Sequence, residues 1–113
     1  MIIPKKLYHG TCKAFVAYAQ AHNGQFGPSY DRVSFTPDLA HSYMFSESWN
    51  TKIGIETLKE YFGEEIDPKL AEAVILQFNG HKLGNLHFKK DGGADEFFVE
   101  KGPVQLVNAR RIK

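Results

Sequence analysis

The sequence predicts one α+β domain with a mostly antiparallel β-sheet and its helices inserted in the N-terminal half. Three observations carry this. Stretches with helix-forming composition all fall before Gly63, whereas β-branched and aromatic runs dominate after it. The late runs follow one another across short turns, at Asn79-Gly80, Asp91-Gly92-Gly93 and Gly102-Pro103, as hairpin strands do, and do not alternate with helices. A chain of 113 residues with 42% hydrophobic content has enough apolar material for one core and no room for a second.

Taken in order, Leu7 and Tyr8 close a first strand. Cys12 to Gln20 reads as a helix, because Ala14, Ala17 and Ala19 favour one and Phe15, Val16 and Tyr18 supply its apolar stripe, with Gly24 as its stop. Asn23 to Asp31, with Gly24, Gly27 and Pro28, reads as a surface loop that carries the aromatic residues Phe26 and Tyr30. Arg32 to Phe35 is a short strand, and Thr36-Pro37-Asp38 a helix start in which threonine caps and proline takes the first helical position. Ala40, Tyr43 and Met44 share one side of the helix that follows. A further helix over Ile55 to Phe62 stops at Gly63, and Asp67-Pro68 caps a brief turn through Ala71. Ala73 to Phe78 is the clearest buried strand, and Leu83 to Phe88, Glu96 to Glu100 and Val104 to Val107 are the remaining ones.

Composition narrows the function classes. No apolar run approaches the roughly 20 residues that span a bilayer, and Met1-Ile2-Ile3-Pro4-Lys5-Lys6 lacks the apolar core of a signal peptide, so a cytoplasmic protein without membrane partners is expected. Cys12 is the only cysteine, which excludes an internal disulfide and a cysteine-built zinc site. It reads as a small buried hydrophobe, because nothing near His9 and Cys12 supplies the third group that a thiol nucleophile needs. The histidines at 9, 22, 41, 81 and 87 show no close ligand spacing, so no metal is expected. A net charge of +1 gives no global pull toward nucleic acid. The local basic residues Lys89, Lys90, Lys101, Arg110, Arg111 and Lys113 read as a solvated edge and tail.

Two segments carry chemistry. Leu7-Tyr8-His9-Gly10-Thr11 leaves an imidazole, which can donate or accept a hydrogen bond, beside a glycine that permits close approach to the backbone. In Asp95-Glu96-Phe97-Phe98-Val99, alternation puts Glu96, Phe98 and Glu100 on one face and Asp95, Phe97 and Val99 on the other. An acid anchored on a rigid strand is suited to stabilising an oxocarbenium-like transition state.

These two segments and Val33-Ser34-Phe35-Thr36-Pro37-Asp38, in this order and spacing, resemble the three signature blocks of the ADP-ribosyltransferase superfamily. The resemblance is to the histidine type, which includes the poly(ADP-ribose) polymerase-like enzymes and the RNA 2′-phosphotransferases. It implies a split, mostly antiparallel sheet that binds NAD as co-substrate, and transfer of ADP-ribose to an acceptor with release of nicotinamide. Glu96 would be catalytic, gripping the 2′-hydroxyl of the nicotinamide ribose and steadying the cation, with Glu100 as the fallback. His9 would bind the hydroxyls of the adenosine-side ribose, Gly10 would meet the nicotinamide carboxamide through its backbone, and Thr11 would sit close by.

The chain also departs from that pattern. Ser34 stands where polymerase-like members carry a tyrosine. Arginine-directed toxins of the superfamily have serine there, but pair it with an arginine where this chain has His9 and with another acid where it has Ala94. The ring that stacks on nicotinamide must then come from elsewhere, with Tyr43 first and Tyr30 or Phe26 as alternatives. The other readings are an RNA 2′-phosphotransferase-like enzyme, for which only Arg32, Arg110 and Arg111 are present, and a non-catalytic NAD- or ADP-ribose-binding module. Protein, nucleic acid and small molecule stay open as acceptors, and Asn23 to Tyr30 and Ser48 to Glu65 are the segments expected to meet one.

Overall fold

Hydrogen-bonded strands gather into two three-stranded antiparallel sheets and one two-stranded ribbon in the computed structural model, which describes residues 2–26, 32–84, 86–91, 94–100 and 104–113. In chain order the elements are β1 (Lys6–Cys12), α1 (Lys13–Ala21), β2 (Gln25–Phe26), β3 (Arg32–Phe35), α2 (Leu39–Glu47), α3 (Lys52–Phe62), β4 (Ala73–Asn79), β5 (Leu86–Asp91), β6 (Ala94–Glu100), β7 (Val104–Gln105) and β8 (Ala109–Arg111). The first sheet has the order β1-β4-β8, the second β3-β6-β5, and β2 pairs with β7. The domain is therefore α+β, with antiparallel pairing throughout these sheets and its helices between β1 and β4.

One apolar cluster holds the two sheets together. Leu7, Val74, Leu76 and Phe78 come from the first sheet and Val33, Phe35, Phe97 and Val99 from the second, with Val16 and Ala19 of α1 added. Period-two alternation explains the choice, since these residues occupy every second position of their strands. Phe35 and Phe78 meet edge-on across the interface at 5.2 Å between ring centroids. A second cluster, around Cys12, Phe15, Leu58 and Ala71, is capped by Trp49 and Phe62. Among the described residues one isolated bridge joins the sheets: the Tyr8 amide donates to the Thr36 carbonyl at 2.8 Å and the Thr36 amide returns the bond at 2.9 Å.

Several local expectations need correction. The cap of α2 is Asp38, whose carboxylate accepts from the Ala40 and His41 amides, while Thr36 accepts from the Asp38 amide and Pro37 precedes the helix. The buried face of α2 is Ser42 and Ser46, and Met44 is 72% exposed. The reason is steric: α2 lies so close on β1 that only small side chains fit between them. Helix α3 starts at Lys52, earlier than expected, with Thr51 as its cap. The strand expected from Leu83 begins at Leu86, and Val104 to Val107 splits into β7 and a 3-10 turn that leads into β8. The glycine turns at 92–93 and 102–103, with Lys101, lie outside the described residues. No helix among the described residues is long and apolar enough to cross a membrane.

Candidate functional site

Gly10 sits at the middle of β1, and α2 crosses directly above it. A Cβ at this position would run into the Ser42 carbonyl oxygen and come within 3.0 Å of the Ser46 amide nitrogen. Ser42 and Ser46 are 1% and 0% exposed, and their hydroxyls donate to carbonyls of α2 itself, at Leu39 and Tyr43. Small, self-satisfied serines let the helix backbone rest on the strand without stranding polar atoms.

Among the described residues the same strand has an open edge. Because Tyr8 directs both backbone groups to Thr36, alternation turns the amide and carbonyl of Gly10 to the same side, away from β4. Among the described residues no ladder continues from Tyr8–Thr36 to a pair at Gly10, so the two sheets part there. His9 fills the opening from the core side. Its ring packs 5.8 Å from that of Phe35, and Nδ1 lies 2.7 Å from the Ser34 carbonyl. A carbonyl only accepts, so Nδ1 carries the proton and Nε2 of the neutral ring is an acceptor.

Ser34 turns its hydroxyl the other way, donating to Glu96 Oε1 at 2.7 Å, a length typical of a charge-assisted bond. Ser34 thus joins His9 on one side to Glu96 on the other. In the ladder Ser34 stands opposite Phe98, Phe98 opposite His87, and Glu96 opposite Lys89. Alternation puts these five residues on the face of the second sheet that points away from the core. His87 lies flat on Phe98, with centroids 5.2 Å apart and planes 16° from parallel.

The structure therefore brings His9, Ser34 and Glu96 together, and Gly10 follows His9 on β1, beneath α2. Thr11 is 3% exposed and faces the core beside Val74. Tyr43 is on the far flank of α2: Lys113 Nζ sits 5.2 Å over its ring and also meets Glu47, one turn on, while the Lys113 backbone is tied to Ile75 of β4. Phe45, about 200° round the helix from Tyr43, is on the flank toward the open edge. Its Cβ is 3.3 Å from where a Gly10 side chain would begin, and the residue is 60% exposed. Sequence reasoning missed Phe45. Its signal is the Ser42/Ser46 pair, which fixes the face of α2 that meets β1 and hence which neighbouring ring overhangs the edge. Tyr30 and the side chains of Phe26, Arg32 and Glu100 lie outside the described residues.

Burial also sets the chemistry of two candidates. Desolvation holds His9 below the ordinary histidine value of 6.5, opposed in part by its bond to the Ser34 carbonyl, so the ring is neutral at pH 7. Between 6.5 and the lowered value the unfolded chain binds a proton that the folded chain refuses, so stability should be full above pH 6.5 and decline as pH falls through that window. Urea unfolding at pH 7.5 and 5.5 checks this. The decline is expected to shrink in His9→Gln, which keeps a donor for the Ser34 carbonyl but cannot titrate. Desolvation also pushes the buried Cys12 thiol up, keeping it protonated and unreactive near neutral pH.

No group of three or more histidine, cysteine, aspartate or glutamate side chains is placed to hold a metal ion among the described residues. Comparison of the chain with protein families, curated proteins and solved structures returns no match.

Proposed function

We propose that the protein is an NAD-dependent mono-ADP-ribosyltransferase with Glu96 as its catalytic carboxylate. The observation that carries this reading is the hydrogen bond from Ser34 to Glu96 at 2.7 Å, beside the parting of the two sheets at Gly10. It links two of the segments that resemble the superfamily blocks across 62 residues, and the bond from His9 to the Ser34 carbonyl ties the first segment to them. The parting also supports a split sheet of the superfamily's kind.

In this reading the nicotinamide carboxamide pairs with the Gly10 amide and carbonyl, which need a donor and an acceptor in that arrangement. Phe45 supplies the stacking ring, a role that its exposure and its position at Gly10 suit better than those of Tyr43. Ser34 aims the Glu96 carboxylate, which takes the 2′-hydroxyl of the nicotinamide ribose and opposes the positive charge that grows at C1′ as the bond to nicotinamide lengthens. His9 holds β3 against β1 at the parting, and Nε2 is an acceptor for a ribose hydroxyl.

The placement of the arginines disfavours the phosphotransferase alternative. Arg110 and Arg111 lie on β8, at the far edge of the first sheet, with β4 between them and β1. That reaction needs guanidinium groups converging on a phosphate. The test is nicotinamide release from NAD by the purified protein, followed by chromatography, alone and with cell lysate. Release is expected, and its increase with lysate separates transfer from hydrolysis. Absence of release under both conditions, with no NAD binding by calorimetry, would sink the reading.

A further inference from the structure

The outer face of the second sheet carries one more group with the chemistry to take part. His87 is exposed on β5, outside every signature block, and is held flat against Phe98 at 5.2 Å between centroids. Phe98 and Glu96 are two residues apart on β6, and Lys89, two residues from His87, stands opposite Glu96. His87 and Glu96 are thus diagonal cross-strand neighbours on one face, with Cα atoms about 7–8 Å apart in such a lattice. In group transfer from a sugar with inversion, the nucleophile enters between a base and the reacting carbon, and two side chains that stand out from one face at diagonal positions leave it a way in. Lys89 cannot serve as that base, since an ammonium group has no lone pair to offer. Imidazole is the side chain most often used as a base near neutral pH.

We infer that His87 is the general base that deprotonates the acceptor, and that the acceptor nucleophile is a hydroxyl or N–H group, not a carboxylate. This inference rests on the reading of Glu96 as the NAD-directed carboxylate. The acceptor oxygen or nitrogen forms its bond to C1′ of the nicotinamide ribose as the bond from C1′ to the pyridinium nitrogen breaks. The electron pair of the broken bond neutralises the pyridinium ring, which leaves as nicotinamide. The acceptor proton passes to the free ring nitrogen of His87 and from there to solvent. A carboxylate acceptor has no proton to lose at neutral pH and would gain nothing from this base. Among the residues whose side chains are described, the charged groups that share the face with His87 are Lys89 on its own strand and Glu96 on β6.

Azide separates this role from a structural one, because it is a small anion with no proton to lose. NAD turnover by wild type, His87→Ala and His87→Gln is measured in water and with added sodium azide, with mass spectrometry for ADP-ribosyl azide. The glutamine variant keeps a flat side chain against Phe98, should alanine disturb the strand. Both variants are expected to lose about 10²- to 10⁴-fold of turnover in water and to keep NAD affinity. Azide is expected to restore turnover, with ADP-ribosyl azide as product. Full activity in either variant, or a loss that azide does not restore, would overturn the role of His87 while leaving Glu96 standing. A wild type inert toward NAD would overturn the reading of Glu96 and this inference with it.

Discussion

Glu96→Gln is expected to abolish nicotinamide release while leaving NAD affinity close to that of the wild type. The glutamine carbonyl still accepts from the Ser34 hydroxyl, so the hydrogen bond that aims the side chain survives and only the charge is lost. A carboxylate about 4 Å from a forming cation contributes roughly 4 kcal/mol at an effective dielectric of 20, or about three orders of magnitude in rate. That contribution belongs to the transition state, where the cation exists, so kcat should fall much more than binding. Asp95→Asn is the control. It removes an adjacent acid from the strand, but alternation points Asp95 to the opposite face, and its turnover should match the wild type. Equal turnover in the two variants, both near wild type, would remove Glu96 from the chemistry. A parallel loss in both would point to the charge of β6 as a whole.

Much of the fold was legible because its signals are local. Strand β3 was read at Arg32 to Phe35, where it lies, and Gly63, with φ of 100°, ends α3 because an L side chain resists that conformation. Asp67 caps the turn at Pro68 as its residue type suggests, and β4 announces itself by the apolar run Ala73-Val74-Ile75-Leu76, covered on both faces. What was not legible depends on partners distant in sequence. Ala40, Tyr43 and Met44 share one side of α2, yet the helix buries Ser42 and Ser46 because Gly10 draws its backbone down onto β1. Strand β8 has the composition of a basic tail and becomes a strand only because Leu76, Gln77 and Phe78 offer a free edge. The same holds at the site. His9, Ser34 and Glu96 were each visible in the sequence, but the division of labour at Ser34, with its carbonyl toward His9 and its hydroxyl toward Glu96, exists only once β3 is paired with β6.

Gly10→Ala is expected to destabilise the fold by about 1–3 kcal/mol, the usual cost of overpacking. Nothing in the backbone at Gly10 forbids alanine, since the glycines with positive φ among the described residues are Gly24 and Gly63. Alanine would even gain roughly 0.4–1 kcal/mol by restricting the unfolded chain. The cost comes from the methyl group, which meets the Ser42 carbonyl and the Ser46 amide. Both are backbone atoms of α2 and cannot turn aside as a side chain does, so the helix itself must lift. At roughly 4 °C per kcal/mol for a domain of this size, the melting temperature should drop by about 4–12 °C. Gly84→Ala is the reference, because nothing lies within 4 Å of its added Cβ, and it should melt at or slightly above the wild type. The contrast also distinguishes two reasons for a glycine in the first block. If Gly10 served only the approach of a ligand, alanine would spare the melting temperature and lose NAD. If it seats α2, the melting temperature falls first, and NAD affinity falls with it because lifting the helix carries Phe45 away from the open edge of β1.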